Sequence, residues 1–94
     1  MYPRILKKLR DCIRENRYVI SIHADEEMAD DDLSIFDVER TLLAGEIVER
    51  QRDKETGEWK YIVKGSSIDN RKIVVVTKLG PTGKAIIITV FEDE

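Results

Sequence analysis

The sequence predicts an α+β fold, with N-terminal helices packed on one face of a four-stranded antiparallel β-meander, or a five-stranded one if the short segment 18–22 joins it. Two observations carry this prediction. In the first half, apolar residues recur at helical spacing, with Ser34 and Gly45 placed as helix punctuation. From Ile47 onward the period falls to two, and β-branched runs alternate with turns such as Gly80-Pro81-Thr82-Gly83. At 94 residues, 41% apolar and 37% charged, the chain has the length and composition of one globular domain, 1–94.

Residues 3–16 read as the first helix. Ile5, Leu6, Leu9, Cys12 and Ile13 form its apolar stripe, and Lys7, Lys8, Arg10 and Arg14 its opposite face. Pro3 suits the first turn, where a missing N–H costs nothing, and Asn16 is a natural stop. Tyr18-Val19-Ile20-Ser21-Ile22 is β-branched and aromatic, so it reads as a short strand. Ser21 or His23 then opens a short helix through about Met28, with Ala24 and Met28 toward the core. Asp25, Glu26 and Glu27 fall in its first turn, where the helix dipole favours acids. Asp30-Asp31-Asp32 belongs at a break. Ser34 caps a third helix with Asp37 in capping-box position, and Ile35, Val38, Leu42 and Leu43 form its buried stripe. Gly45 is expected to close that helix with a left-handed, positive φ.

Strands follow at 47–52, 58–64, 72–78 and 85–91, joined by a hairpin loop at 53–57, a turn from Gly65 to Asn70, and the Gly80–Gly83 turn. Trp59, Tyr61 and Val63 alternate with Lys60, Ile62 and Lys64, the pattern of a half-exposed strand. Ile73-Val74-Val75-Val76 is a continuous apolar run, typical of a strand covered on both faces.

Composition narrows the function classes. No stretch approaches the roughly 18 apolar residues of a membrane span and no leader opens the chain, so a cytoplasmic protein without a membrane partner is expected. The single cysteine, Cys12, permits no internal disulfide and offers no zinc framework, and its apolar neighbours make it a core residue. Net charge is −3, yet the signs are sorted. Residues 1–18 carry six positive and two negative groups, 19–49 one positive and ten negative, and 50–84 nine positive and four negative. A nucleic-acid interface would draw on the outer basic blocks, while the bland reading is solvated faces. The carboxylates Asp25, Glu26, Glu27, Asp30, Asp31 and Asp32 lack the turn-forming glycine of a calcium loop, so no metal and no cofactor is expected. They read as a solvated acidic belt or a patch for a basic partner.

Ser21-Ile22-His23-Ala24-Asp25-Glu26-Glu27-Met28 resembles the S-x-H-A-x-E-R-M motif of a bacterial domain family of unknown function, one related to the BrnT, RelE and MqsR ribonuclease toxins. The resemblance continues through Leu33-Ser34, Asp37-Val38 and Leu42, through Gly45-Glu46-Ile47-Val48-Glu49, and along the strands to Ile88-Thr89-Val90-Phe91. It implies a RelE/BrnT/MqsR-like fold and the toxin component of a type II toxin–antitoxin module that cleaves RNA without a metal. It also implies a zinc-finger antitoxin of the YgiT or MqsA type as partner. Four departures stand out: Glu27 replaces the motif's arginine, Asp31-Asp32 a following Arg-Gly, Val74 a histidine, and Phe91 a terminal tyrosine. Each removes a cation, a proton carrier or a hydroxyl, which favours an alternative: a catalytically inactive interaction protein of the same fold.

Attack by a ribose 2′-hydroxyl needs a base, an acid for the leaving oxygen, and cations for the phosphorane. His23, the only histidine, belongs to the side-chain type that titrates near neutrality and is the expected proton carrier; its bland role is capping or packing. Arg71 is the expected phosphate clamp, with Lys60 in support. Lys64, Lys72, Lys78 and Tyr61 are expected RNA-binding residues, with Trp59 and Tyr61 available to stack on bases.

Overall fold

Pro3 opens the first helix where the sequence places it, and α1 runs Pro3–Arg14, ending before Asn16 at φ 55°. The computed structural model describes residues 2–93. The remaining elements are β1 (Tyr18–Ile20), α2 (Ile22–Asp30), α3 (Ile35–Ala44), β2 (Glu46–Arg52), β3 (Trp59–Ser66), β4 (Lys72–Leu79) and β5 (Ala85–Glu92). Among the described residues no helix is long and apolar enough to cross a membrane.

The strands form one five-stranded sheet in the order β1-β5-β4-β3-β2. Strands β2 to β5 pair antiparallel, as short connections require. The all-antiparallel expectation fails at β1, which runs parallel to β5 with Tyr18, Val19 and Ile20 opposite Ala85, Ile86 and Ile87. Its partner lies at the far end of the chain, so α2, α3 and three strands serve as the long crossover that parallel pairing demands. The sheet is therefore mixed.

All three helices lie on one face. Leu9, Cys12, Ala24, Met28, Val38 and Leu42 pack with Val63, Ile73, Val75, Ala85, Ile87 and Val90, the sheet residues whose register gives them a common side. Cys12 is buried here, its thiol 3.2 Å from the Gly83 carbonyl. Alternation puts Ile62, Val74, Val76, Ile86, Thr89 and Phe91 on the other face, which no helix covers. Here the expectation of a β4 covered on both sides holds in part: Val74 is buried, but Val76 is only half-buried and no helix lies over this face.

Gly45 also departs from expectation. Its φ is −84°, so it is no left-handed cap. A β-carbon there would sit 2.4 Å from the backbone oxygens of both Lys64 and Thr41, so the residue must be glycine because α3 turns into β2 directly against β3. Gly65 lies on the opposing side, where a β-carbon would meet Thr41 and Gly45 backbone atoms at 3.1 and 3.2 Å. Arg10 completes this corner, donating to the carbonyls of Leu42 (3.2 Å) and Gly45 (2.9 Å) at the end of α3.

Asp37 holds the start of α3 to the β3–β4 loop. Its carboxylate accepts from the Ser34 N–H (2.8 Å), the Ser34 hydroxyl (3.2 Å) and the Ile68 N–H (2.8 Å). Burial alone would push this carboxyl up, but the three donors outweigh it and hold it below the usual carboxylate range. A carboxylate depressed in the folded state stabilises the protein above its unfolded pKa, and that contribution is lost as pH falls through the folded value. The thermal midpoint of the wild type is thus expected to drop on acidification below about pH 4. Asp37→Asn should start from a lower midpoint at pH 7 and lose less of it on acidification. Parallel acid profiles for the two proteins would contradict this assignment.

Candidate functional site

The β3–β4 and β4–β5 registers collect the basic residues that the sequence singles out. Lys64 stands opposite Val74, Lys72 opposite Ser66, and Lys78 opposite Ile86, while Lys60 shares the parity of Ile62 and Lys64. All four lie on the helix-free face, around the apolar patch of Ile62, Val76 and Phe91. Lys64 pairs with Asp93 at 3.3 Å in the open, where such pairs are weak and exchange readily, and the half-buried Lys78 pairs with Glu58 at 3.4 Å. The face thus combines cations with an apolar surface, the pairing that single-stranded nucleic acid uses for its phosphates and bases.

Tyr61 is not part of it. It faces the helices, is 7% exposed, and meets Tyr2 edge-on with ring centroids 6.3 Å apart, so its ring is not offered to a base. The parity of β3 decides this, because Tyr61 shares the side of Val63.

Arg71 is also placed differently from the expected clamp. Its Nη1 donates to the Asp31 carbonyl (2.8 Å) and Glu92 (3.2 Å), its Nη2 to the Asp32 carbonyl (2.9 Å), and its Nε to Asp69 (3.1 Å). The Ser67 hydroxyl and Arg71 together hold Asp69 below the usual carboxylate range. Arg71 therefore ties the α2–α3 loop to the start of β4 and the end of β5.

His23 sits on α2, exposed, with Nε2 3.2 Å from the Glu27 carboxylate. The same Glu27 oxygen accepts the Val90 N–H at 3.3 Å. This contact belongs to a larger device that the sequence reading missed. Strand β1 reaches only as far as Ile87, leaving the edge of β5 bare from Ile88 onward. Side chains of α2 and its cap fill that edge: the Ser21 hydroxyl donates to the Ile88 carbonyl (3.0 Å), Glu27 takes the Val90 N–H, and Asp31 takes the Glu92 N–H (3.0 Å). Two members of the supposed acidic belt thus replace a missing strand. The signal was the four-residue spacing of Glu27 and Asp31, which puts both on one helix face. His23 reaches this edge only through Glu27, whose oxygen holds the N–H of Val90, the residue between Thr89 and Phe91 of the open face.

Ser21 also accepts the Ala24 N–H at 3.0 Å and so caps α2, so the capping role considered for His23 belongs to Ser21. Among the described residues no three His, Cys, Asp or Glu side chains converge in a way that would hold a metal ion.

A family model described as a domain of unknown function, DUF4258, matches residues 20–92. No curated protein and no solved structure matches the chain. The matched span covers the β1–α2 junction, the edge-closing side chains and the whole basic sheet face; it leaves out α1.

Proposed function

The chain belongs to the DUF4258 family of domains of unknown function, and on that premise we propose that it is a toxin-like domain that holds RNA on the open face of its sheet and cleaves it without a metal. One observation carries the reading: Lys60, Lys64, Lys72 and Lys78 project from the single sheet face that no helix covers, around apolar residues able to take bases. His23 and Glu27, hydrogen-bonded at the edge of that face, are the pair that would move protons. A carboxylate can accept the 2′-hydroxyl proton and an imidazolium can return one to the leaving 5′-oxygen. Kinship with BrnT, RelE and MqsR, and a zinc-finger antitoxin of the YgiT or MqsA type as partner, belong to the same proposal.

A second reading, an interaction protein that binds without cutting, is favoured by Arg71. The expected phosphate clamp is engaged on four sides within the fold, which leaves the site short of a cation for the phosphorane.

The purified chain mixed with labelled single-stranded RNA distinguishes the two. Cleavage in the presence of EDTA is expected, and His23→Ala should slow it by about 10²–10⁴ while binding survives. Replacing Lys60 and Lys72 by alanine should weaken binding and reduce its salt slope by about 1.4, roughly 0.7 per cation. Arg71→Ala should lower the thermal midpoint, separating its role from chemistry. RNA bound but uncut selects the second reading, and RNA neither bound nor cut overturns both as statements about RNA.

A further inference from the structure

We propose that Trp59, Arg50 and Arg52 form a nucleotide subsite for single-stranded RNA, in which Trp59 stacks a base and the two guanidiniums hold the adjoining phosphate. The inference rests on the RNA-binding reading and adds a site which that reading does not use.

The hairpin register builds the cluster. Arg52 stands opposite Trp59 and Arg50 opposite Tyr61, so all four side chains share the helix-side face of β2 and β3. The guanidinium carbon of Arg50 lies 4.1 Å from the Trp59 ring centroid and that of Arg52 5.5 Å, so an incoming base takes the ring by displacing the more distant head, Arg52, toward its phosphate while Arg50 stays stacked. Tyr2 extends the aromatic surface, 5.8 Å from Arg50. The helices stop short of this end of the hairpin: Trp59 is 37% exposed and both arginines are exposed.

Two cations converging on one ring repel each other, and among the described residues neither forms an ion pair. Arg52 spends only its Nε, on the Gly57 carbonyl at 3.2 Å, and keeps its terminal nitrogens for a ligand. An anion placed between the two heads relieves that repulsion, and guanidinium forks match phosphate oxygens. The phosphate alone would fit any anion, but the ring selects a nucleotide, because every base presents a π-face and an acidic peptide need not. The base must be unpaired to reach a side-chain ring.

Strand β2 is the outermost strand, with Gln51 opposite Lys60 and pointing to the face opposite its neighbours Arg50 and Arg52. One RNA strand can therefore leave the lysine face, round this edge, and place its next nucleotide on Trp59.

Trp59 is the only tryptophan, so its emission reports this subsite alone. The whole chain is titrated with a short 5′-labelled oligoribonucleotide, with label anisotropy reading all binding and tryptophan emission reading Trp59. The expected result is quenching that saturates with the anisotropy. Replacing both Arg50 and Arg52 by alanine should weaken binding on the order of 10-fold at low salt and flatten the salt slope by about 1.4. Arg50→Lys should keep the slope yet lose affinity, because an ammonium has no planar face to stack. Anisotropy change with unquenched Trp59 and an unaffected double variant would overturn the subsite and leave the RNA reading standing. No anisotropy change removes both. Equal quenching by a polyglutamate peptide would reassign the cluster to an acidic protein partner.

Discussion

Gly45→Ala is expected to cost about 3 kcal/mol or more, a large share of a total stability of roughly 5–15 kcal/mol. The new methyl would lie 2.4 Å from two backbone oxygens, Lys64 O in β3 and Thr41 O in α3. Neither atom can swing aside as a side-chain tip could. Gly45 N–H itself donates to Thr41 O at 2.8 Å, and its carbonyl accepts from Arg10, so moving this backbone also breaks bonds. Gly57→Ala supplies the contrast. Gly57 has φ +75°, but a β-carbon there meets nothing nearer than the Arg52 side chain at 3.8 Å. Its cost is conformational and should be about 1–2 kcal/mol. Urea unfolding of both variants decides the matter: equal midpoints would show that close approach at Gly45 is absorbed by the backbone.

The contrast also shows which parts of the fold were legible. Local rules found Gly45 as a helix terminus and found Ser34, Asp37, Pro3 and Asn16 in their roles, because each acts on residues within a few positions. They misread why Gly45 is glycine, since the reason lies on β3, at the backbone of Lys64. The parallel β1–β5 pair failed for the same reason. Nothing within Tyr18–Ile20 distinguishes a parallel partner from an antiparallel one, and that partner begins at Ala85.

Among the site residues, strand parity made the lysine face readable in principle. Lys60, Lys64, Lys72 and Lys78 needed only a two-residue period and a correct register. Tyr61 needed the further step of knowing that Val63 points inward. Glu27 and Asp31 were hidden more deeply, because their partners are backbone N–H groups of a strand edge that exists only where β1 ends. The tie made by Arg71 was hidden as well, because a charged residue in a turn gives no local sign of the four acceptors that fold around it. Arg50 and Arg52 carried a visible sign: alternating arginines on one strand, facing a hairpin partner that contains an aromatic.

Val75→Asp is expected to abolish the folded state, and Ile88→Asp is expected to spare it. From sequence both residues read alike, as apolar members of apolar strands. In the fold, Val75 is fully buried at the centre of β4, opposite both Val63 and Val90. A carboxylate there has no partner, and burying an unpaired charge costs several kcal/mol against a total stability of roughly 5–15 kcal/mol. Ile88 has a different position. Thr89 pairs with Val76 and Ile87 with Thr77, so Ile88 is the extra residue of a β-bulge and has no cross-strand partner. It is only half-buried, and a carboxylate there can turn toward water. Soluble expression and the denaturant midpoint of the two variants measure the difference. A cooperatively folded Val75→Asp protein, or an Ile88→Asp protein as damaged as Val75→Asp, would contradict the placement of the bulge and of the core around it.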